Sequence, residues 1–214
     1  MRPSLPLHAL LLSFSALLAC TLLSRPATTH ASIPDPANSE VPPCLAVCPA
    51  GDLVTVVVVR DFNNVPVENS SVIIEFYDCP AFAICPPAKS DPYIWDDPTR
   101  TVRRLTDATG AARFPLRAGG VCGANVVRVF ADGIFLAARA LASPDQNGNL
   151  SVSAADQAVA NAKLGMPDPT ADFDCNGTVT AADLGVVQSH LTHDCGIPTP
   201  ARPRSWGSLK VIYR

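Results

Sequence analysis

The segment DQNGNLSVSAAD at residues 145–156 returns, with an offset of 27, as DFDCNGTVTAAD at residues 172–183. Oxygen-bearing side chains fall at positions 1, 3, 5, 9 and 12 of both copies. In the first copy these are Asp145, Asn147, Asn149, Ser153 and Asp156; in the second they are Asp172, Asp174, Asn176, Thr180 and Asp183. Calcium takes about six to eight hard oxygen ligands, and a twelve-residue loop with this alternation wraps such a set around one ion. Position 7 (Ser151, Thr178) would supply a backbone carbonyl. Position 8 (Val152, Val179) is expected to pair with its counterpart and couple the two loops. One such loop is a weak signal; two in register are a specific one. After each loop, apolar residues recur at three- to four-residue spacing, which predicts helices over 154–164 and 181–191.

The two copies are not equivalent. Position 6 needs a backbone with φ > 0, hence Gly. The second loop has Gly177 there, whereas the first has Leu150. Position 12 is Asp in both, one methylene shorter than Glu. The first loop carries two carboxylates and the second three, so the second is expected to hold calcium more tightly. A register with Gly148 at position 6 loses Asp156 and places Ala154 at position 12, and is rejected.

The pair of loops, with Ser143-Pro144-Asp145 before the first and Ala171-Asp172-Phe173-Asp174 at the second, resembles a dockerin, the paired calcium-loop-and-helix module of secreted bacterial proteins. The resemblance implies two calcium ions and a cohesin-like partner. It also implies recognition through exposed residues at positions 10, 11, 17, 18 and 22. Those are Ala154, Ala155, Asn161, Ala162 and Met166 in the first copy, and Ala181, Ala182, Gln188, Ser189 and His193 in the second. The basic residue often found near position 18 of dockerins is absent, so calcium binding is better supported than cohesin binding. Asn149-Leu-Ser and Asn176-Gly-Thr also match the glycosylation sequon, but both asparagines are better used as metal ligands.

Residues 44–142 have a β texture. The runs 53–59, 72–77, 103–106, 111–116, 126–131 and 134–141 are rich in β-branched and aromatic residues and bounded by Gly, Pro, Asn or Asp. Asn63-Asn64, Thr109-Gly110, Gly119-Gly120 and Asp132-Gly133 supply turns. Strands at this spacing without helices between them predict a sandwich of two sheets. The stretch TDATGAARF at 106–114 and the turn DFNNVPV at 61–67 are similar to hairpins of bacterial Ig-like and carboxypeptidase-regulatory-like domains. That likeness implies a spacer or adhesion role and carries no catalytic residue. Residues 79–98, with five prolines and two cysteines, read as a long loop pinned by disulfide. The expected fold is therefore mainly β plus small α: an Ig-like β-sandwich (44–142) followed by a two-loop, two-helix dockerin-like calcium module (143–196).

At the N-terminus, residues 9–23 are an apolar run followed by a polar stretch of small residues, the pattern of a secretory signal ending near Ala31. Leu17-Leu18-Ala19-Cys20 offers a competing lipoprotein anchor at Cys20. An exported protein, extracellular or at the cell surface, is expected. Residues 32–43, with four prolines, read as a linker. The mature chain then keeps seven cysteines, Cys44, Cys48, Cys79, Cys85, Cys122, Cys175 and Cys195, which in an exported protein are more often stapled than metal-binding. Expected pairs are Cys175–Cys195, Cys44–Cys48, and Cys122 with Cys79 or Cys85, leaving an odd thiol in the Pro-rich loop. Zinc on Cys44, Cys48, Cys79 and Cys85 is the weaker reading, because both remaining histidines lie far away at 190 and 193.

Charge is segregated. Residues 143–196 hold seven acidic side chains and one basic, while the tail 197–214 holds four basic and no acidic ones. The tail is expected to fold back and bury Trp206, Leu209 and Ile212. The whole chain has a net charge of −3 and no basic face, so nucleic acid is not expected as a partner. No Gly-rich phosphate loop, nucleophile elbow or zinc-protease helix appears, and no later apolar run is long enough to span a membrane. Asp96-Asp97 beside Trp95 reads as a solvated turn or a sugar contact rather than an acid/base pair. A non-catalytic calcium-binding adaptor is expected. The alternatives are a structural surface, matrix or filament subunit and a carbohydrate-binding accessory module with a polysaccharide ligand.

Overall fold

Alternating apolar residues place the strands. The computed structural model describes residues 32–86 and 94–196, so the expected signal segment 1–31 and the tail 197–214 lie outside the described residues. The elements run β1 (Leu45–Ala46), β2 (Thr55–Val58), β3 (Ser71–Glu75), β4 (Ala83–Ile84), β5 (Ile94–Asp96), β6 (Thr101–Leu105), β7 (Ala111–Phe114), β8 (Ala118–Gly119), β9 (Cys122–Ala131) and β10 (Ile134–Ala142). Helices α1 (Ala154–Ala162) and α2 (Ala181–Ser189) follow. The described residues are thus mainly β with two small helices. Each of the six expected apolar runs contains a strand. The stretch 79–98, expected to be loop, contains the short strands β4 and β5; each finds a partner strand to satisfy its backbone groups.

Six strands form a sheet in the order β1-β10-β9-β3-β6-β5, and β2-β7 and β4-β8 form two-stranded ribbons. In β3, Val72 and Ile74 point inward while Ser71, Ile73 and Glu75 alternate with them, the period of two that a half-buried strand requires. Ile74 sits opposite Val102 of β6 and Val129 of β9. These side chains share one core with Val57 of β2, Phe114 of β7 and Leu141 of β10, so the ribbon packs across the large sheet in a sandwich-like layering. Parallel pairing of β1 with β10, Leu45 against Leu141, closes the sheet's far edge.

The two Asp-led turns are built by their own side chains. Asp107 Oδ1 accepts from the Thr109 amide and hydroxyl and from the Ala111 amide. These donors, the Thr109 hydroxyl first, hold the Asp107 carboxyl below its ordinary range. Asp61 Oδ1 accepts likewise from Asn63 and Val65. Asp132-Gly133 makes the two-residue turn between β9 and β10, pairing Ala131 with Ile134. The Pro-rich segment expected as a linker is instead held on the edge of β2. Glu40 and Val58 exchange amide hydrogen bonds at 2.7 and 2.9 Å, and the Arg139 guanidinium donates to the Val41 and Pro42 carbonyls.

Among the described residues three disulfides cross the chain: Cys44–Cys175, Cys79–Cys122 and Cys85–Cys195. The pairing of Cys122 with Cys79 is one of the two expected, and both cysteines of the Pro-rich stretch are bonded. The other expectations are corrected. Cys175 and Cys195 do not bond each other, because each faces a cysteine of the β domain, Cys44 just before β1 and Cys85 just after β4. Cys48 is therefore the odd thiol; it is buried and free. Two of the three bridges tie the helical segment to the β domain, and the described residues from Ile33 onward fall in one compact unit. Among the described residues no helix is long and apolar enough to cross a membrane.

Candidate metal centre

Both twelve-residue loops fold the same way. In the first, the Asp145 carboxylate accepts from the amides of Gly148, Asn149 and Leu150. In the second, Asp172 accepts from Asn176 and Gly177. The position-3 side chain accepts from the position-5 amide (Asn147 from Asn149, Asp174 from Asn176), and the position-5 side chain from the position-7 amide. These local bonds turn the chain around a common centre because Asp and Asn reach their own backbone two residues on.

The last two ligand positions of each loop, 9 and 12, also form the helix cap. Ser153 caps α1 and Thr180 caps α2, each in a reciprocal capping box with Asp156 or Asp183. Asp156 additionally accepts from the Asn147 amide, and Asp183 from the Phe173 and Asp174 amides. One carboxylate thus joins the start and end of its loop and pins both to the helix. Burial works to raise the Asp183 carboxyl, but the amides of Thr180, Phe173 and Asp174 outweigh it and hold it below the ordinary range. For Asp145 burial prevails, helped by the neighbouring Asp156 charge, and the carboxyl is raised.

The second loop brings one oxygen each of Asp172, Asp174 and Asp183 within 4.8 Å of one another. Three converging carboxylates repel unless a cation lies between them, and hard oxygen donors of this kind suit calcium. The first loop has Asp145 and Asp156, both fully buried, with Asn147, Asn149, Ser151 and Ser153 at its other oxygen-bearing positions. Each oxygen of Asp172 accepts one amide and keeps a lone pair for an ion, whereas both oxygens of Asp183 accept two bonds each, so an ion there takes the place of one of them, the rotatable Thr180 hydroxyl first.

Position 6 is left-handed in both loops, φ 92° at Gly177 and 67° at Leu150. A side chain in that region costs about 1–2 kcal/mol. Leu150→Gly is expected to relieve this at the price of some unfolded-state entropy, a net gain of about 1 kcal/mol. It should tighten calcium at the first loop several-fold without touching the second, read by calorimetric titration. Unchanged first-loop affinity would show that the turn is not what weakens it.

The expected coupling of Val152 to Val179 is corrected. Val152 exchanges backbone hydrogen bonds with Thr192 and His193, and Val179 with Gly165 and Met166. Each loop therefore pairs with the segment that follows the other copy's helix. A chain folded as two related halves swaps its edges in this way, which also closes the small core of Val152, Ala160 and Val187. Ala154, Ala155, Asn161, Ala162, Met166, Ala181, Ala182, Gln188 and Ser189 are exposed, and His193 is half-buried.

One contact of the first loop could not be read from its motif. The backbone of β8 lies so close to Asp145 that a Cβ built on Gly119 would meet Asp145 Oδ2 at 1.9 Å. The Gly120 amide donates to the Asp145 carbonyl at 3.1 Å. Gly119→Ala must displace the carboxylate or the strand. It is expected to cost about 1–3 kcal/mol of stability and to weaken the first ion selectively. A first-loop affinity unchanged in this variant would show that Asp145 does not hold the ion.

Trp95 Nε1 donates to Asp97, and Asp96 accepts from Thr99, so the acidic pair is used within its own exposed turn. No protein-family model, curated protein or solved structure matches this chain.

Proposed function

We propose that this chain is an exported, non-catalytic calcium-binding protein, an Ig-like β domain carrying a dockerin-like module that takes part in protein–protein assembly outside the cell. Two calcium ions occupy loops 145–156 and 172–183, the second more tightly. The observation that carries this reading is the convergence of Asp172, Asp174 and Asp183 in a loop whose hydrogen bonding is repeated in the first copy. Three intramolecular disulfides fit an oxidising compartment, which supports the extracellular assignment. The exposed small residues at the starts of α1 and α2 are the surface offered to a cohesin-like partner.

The second reading, a structural subunit in which calcium only stabilises the fold, is favoured by two disulfides that fix the module to the β domain. Retention of the mature protein on immobilised cohesin domains, in calcium and in chelator, separates the two. Calcium-dependent retention supports assembly. Calcium binding without retention leaves the structural role, and no binding at millimolar calcium removes both.

A further inference from the structure

We infer that Cys48, Asp52, His190 and His193 form a zinc site distinct from the two calcium loops. One donor atom of each residue lies within 4.8 Å of all the others. Two tight turns create the cluster. The turn from Cys48 to Asp52, closed by the Gly51 amide on the Cys48 carbonyl, brings a thiol and a carboxylate together. At the end of α2, the His193 amide donates to the His190 carbonyl, and the two rings stand edge to face with centroids 5.1 Å apart.

The two Asp52–histidine separations are those of ligands around an ion rather than of charge-assisted hydrogen bonds, and the thiol–imidazole separation suits either. Cys48 Sγ lies 3.5 Å from His193 Nδ1. Asp52 Oδ2 lies 3.4 Å from His190 Nε2 and 3.5 Å from His193 Nδ1. Charge-assisted N–H···O bonds are about 2.7–2.9 Å long. A tetrahedron with Zn–N and Zn–O near 2.0–2.1 Å and Zn–S near 2.3 Å has edges of about 3.3–3.6 Å. The three measured distances fall on those edges.

The outer contacts orient the ligands. His190 Nδ1 lies 2.6 Å from the Val186 carbonyl, which can only accept, so that nitrogen carries the proton. That leaves Nε2 facing the Asp52 carboxylate, 3.4 Å from Oδ2, where both atoms can ligate one cation. A ligating histidine that donates its other N–H to a backbone carbonyl is the usual arrangement at zinc. The Arg117 guanidinium donates to the Pro49 carbonyl on one side and the Gly196 carbonyl on the other, holding the two halves in place without the ion. One thiolate and one carboxylate balance a dication, and the thiol proton leaves to solvent on binding. Sulfur and imidazole donors select zinc over the calcium that suits the oxygen-only loops. Asp52 is exposed and His193 half-buried, so the ion has an entry path.

The test is cobalt(II) titration of the full disulfide-bonded chain in millimolar calcium, which saturates the oxygen sites. One equivalent is expected to give the intense visible absorption of tetrahedral cobalt, with a thiolate-to-cobalt band in the near ultraviolet, both erased by one equivalent of zinc. Cys48→Ser is expected to lose the thiolate band. His193→Ala and Asp52→Asn are expected to weaken zinc at least about a hundredfold and tenfold respectively, against the ten- to hundredfold typical of second-shell losses. Asp52 is exposed, so its variant keeps the fold. The proposal is overturned if the unmodified chain gives only weak octahedral absorption, which would leave a His–Asp ion pair beside a buried thiol. Cobalt or zinc binding that Asp52→Asn and His193→Ala leave unchanged overturns it equally.

Discussion

Replacing Cys44 and Cys175 together by alanine is expected to lower the unfolding free energy by about 2–5 kcal/mol, and removing Cys85 with Cys195 should do the same. The two bridges span 131 and 110 residues of sequence. Loop-closure entropy grows with the closed length, so bridges of this span constrain the unfolded chain strongly. For a chain of this size the loss corresponds to roughly 4–20 °C in Tm. The effects should be less than additive if both bridges restrain the same docking of the module on the β domain. Thermal unfolding of the two pair variants and their combination, in calcium, measures this. A loss below about 0.5 kcal/mol for either pair would show that non-covalent packing already fixes the module.

Asp172→Asn is expected to weaken calcium at the second loop at least about a hundredfold while leaving the first loop's ion in place. Asn keeps one oxygen to accept either the Asn176 amide, now on Oδ1, or the Gly177 amide, now on Oδ2, so the change removes the charge and one turn bond while the other survives. Asp172→Ala removes those acceptors as well and should also destabilise α2, whose cap at Thr180 and Asp183 closes the same ring. Calorimetric titration of the full chain should show two binding events in the parent and only the weaker one in Asp172→Asn. Two undisturbed events would mean that this carboxylate does not ligate calcium.

What was legible from residues alone was local. Asp107 and Asp61 build their turns from amides within four residues, so their motifs identify them. The alternation in β3 predicts which face is inward because side chains point to opposite faces at period two. The loops and their helices are legible for the same reason: positions 1, 3, 5 and 12 bond amides of the same twelve residues, and Ser153 and Thr180 cap the helices that follow. Leu150 could be marked as the odd residue because position 6 demands φ > 0 wherever this loop forms.

Apart from β5, which pairs with the adjacent β6, the misreadings concern partners distant in sequence. Val152 and Val179 were expected to meet because they are equivalent, yet each pairs with the other half's trailing segment. Cys175 and Cys195 lie near each other along the chain but face Cys44 and Cys85 across it. The separation that made His190 and His193 poor companions for Cys48 is closed by the docking of α2 against the Cys48–Asp52 turn.

By itself the sequence determined the strand texture, the two loops with their capped helices, and the oxygen donors they present, since turns, caps and side-chain alternation depend on neighbours within a few residues. Only the tertiary structure decided which cysteines bond, why residue 119 is glycine beside Asp145, and where a thiol, a carboxylate and two imidazoles converge. Those outcomes depend on how the β domain and the helices pack, and a contact across more than a hundred residues leaves no periodic trace in the chain.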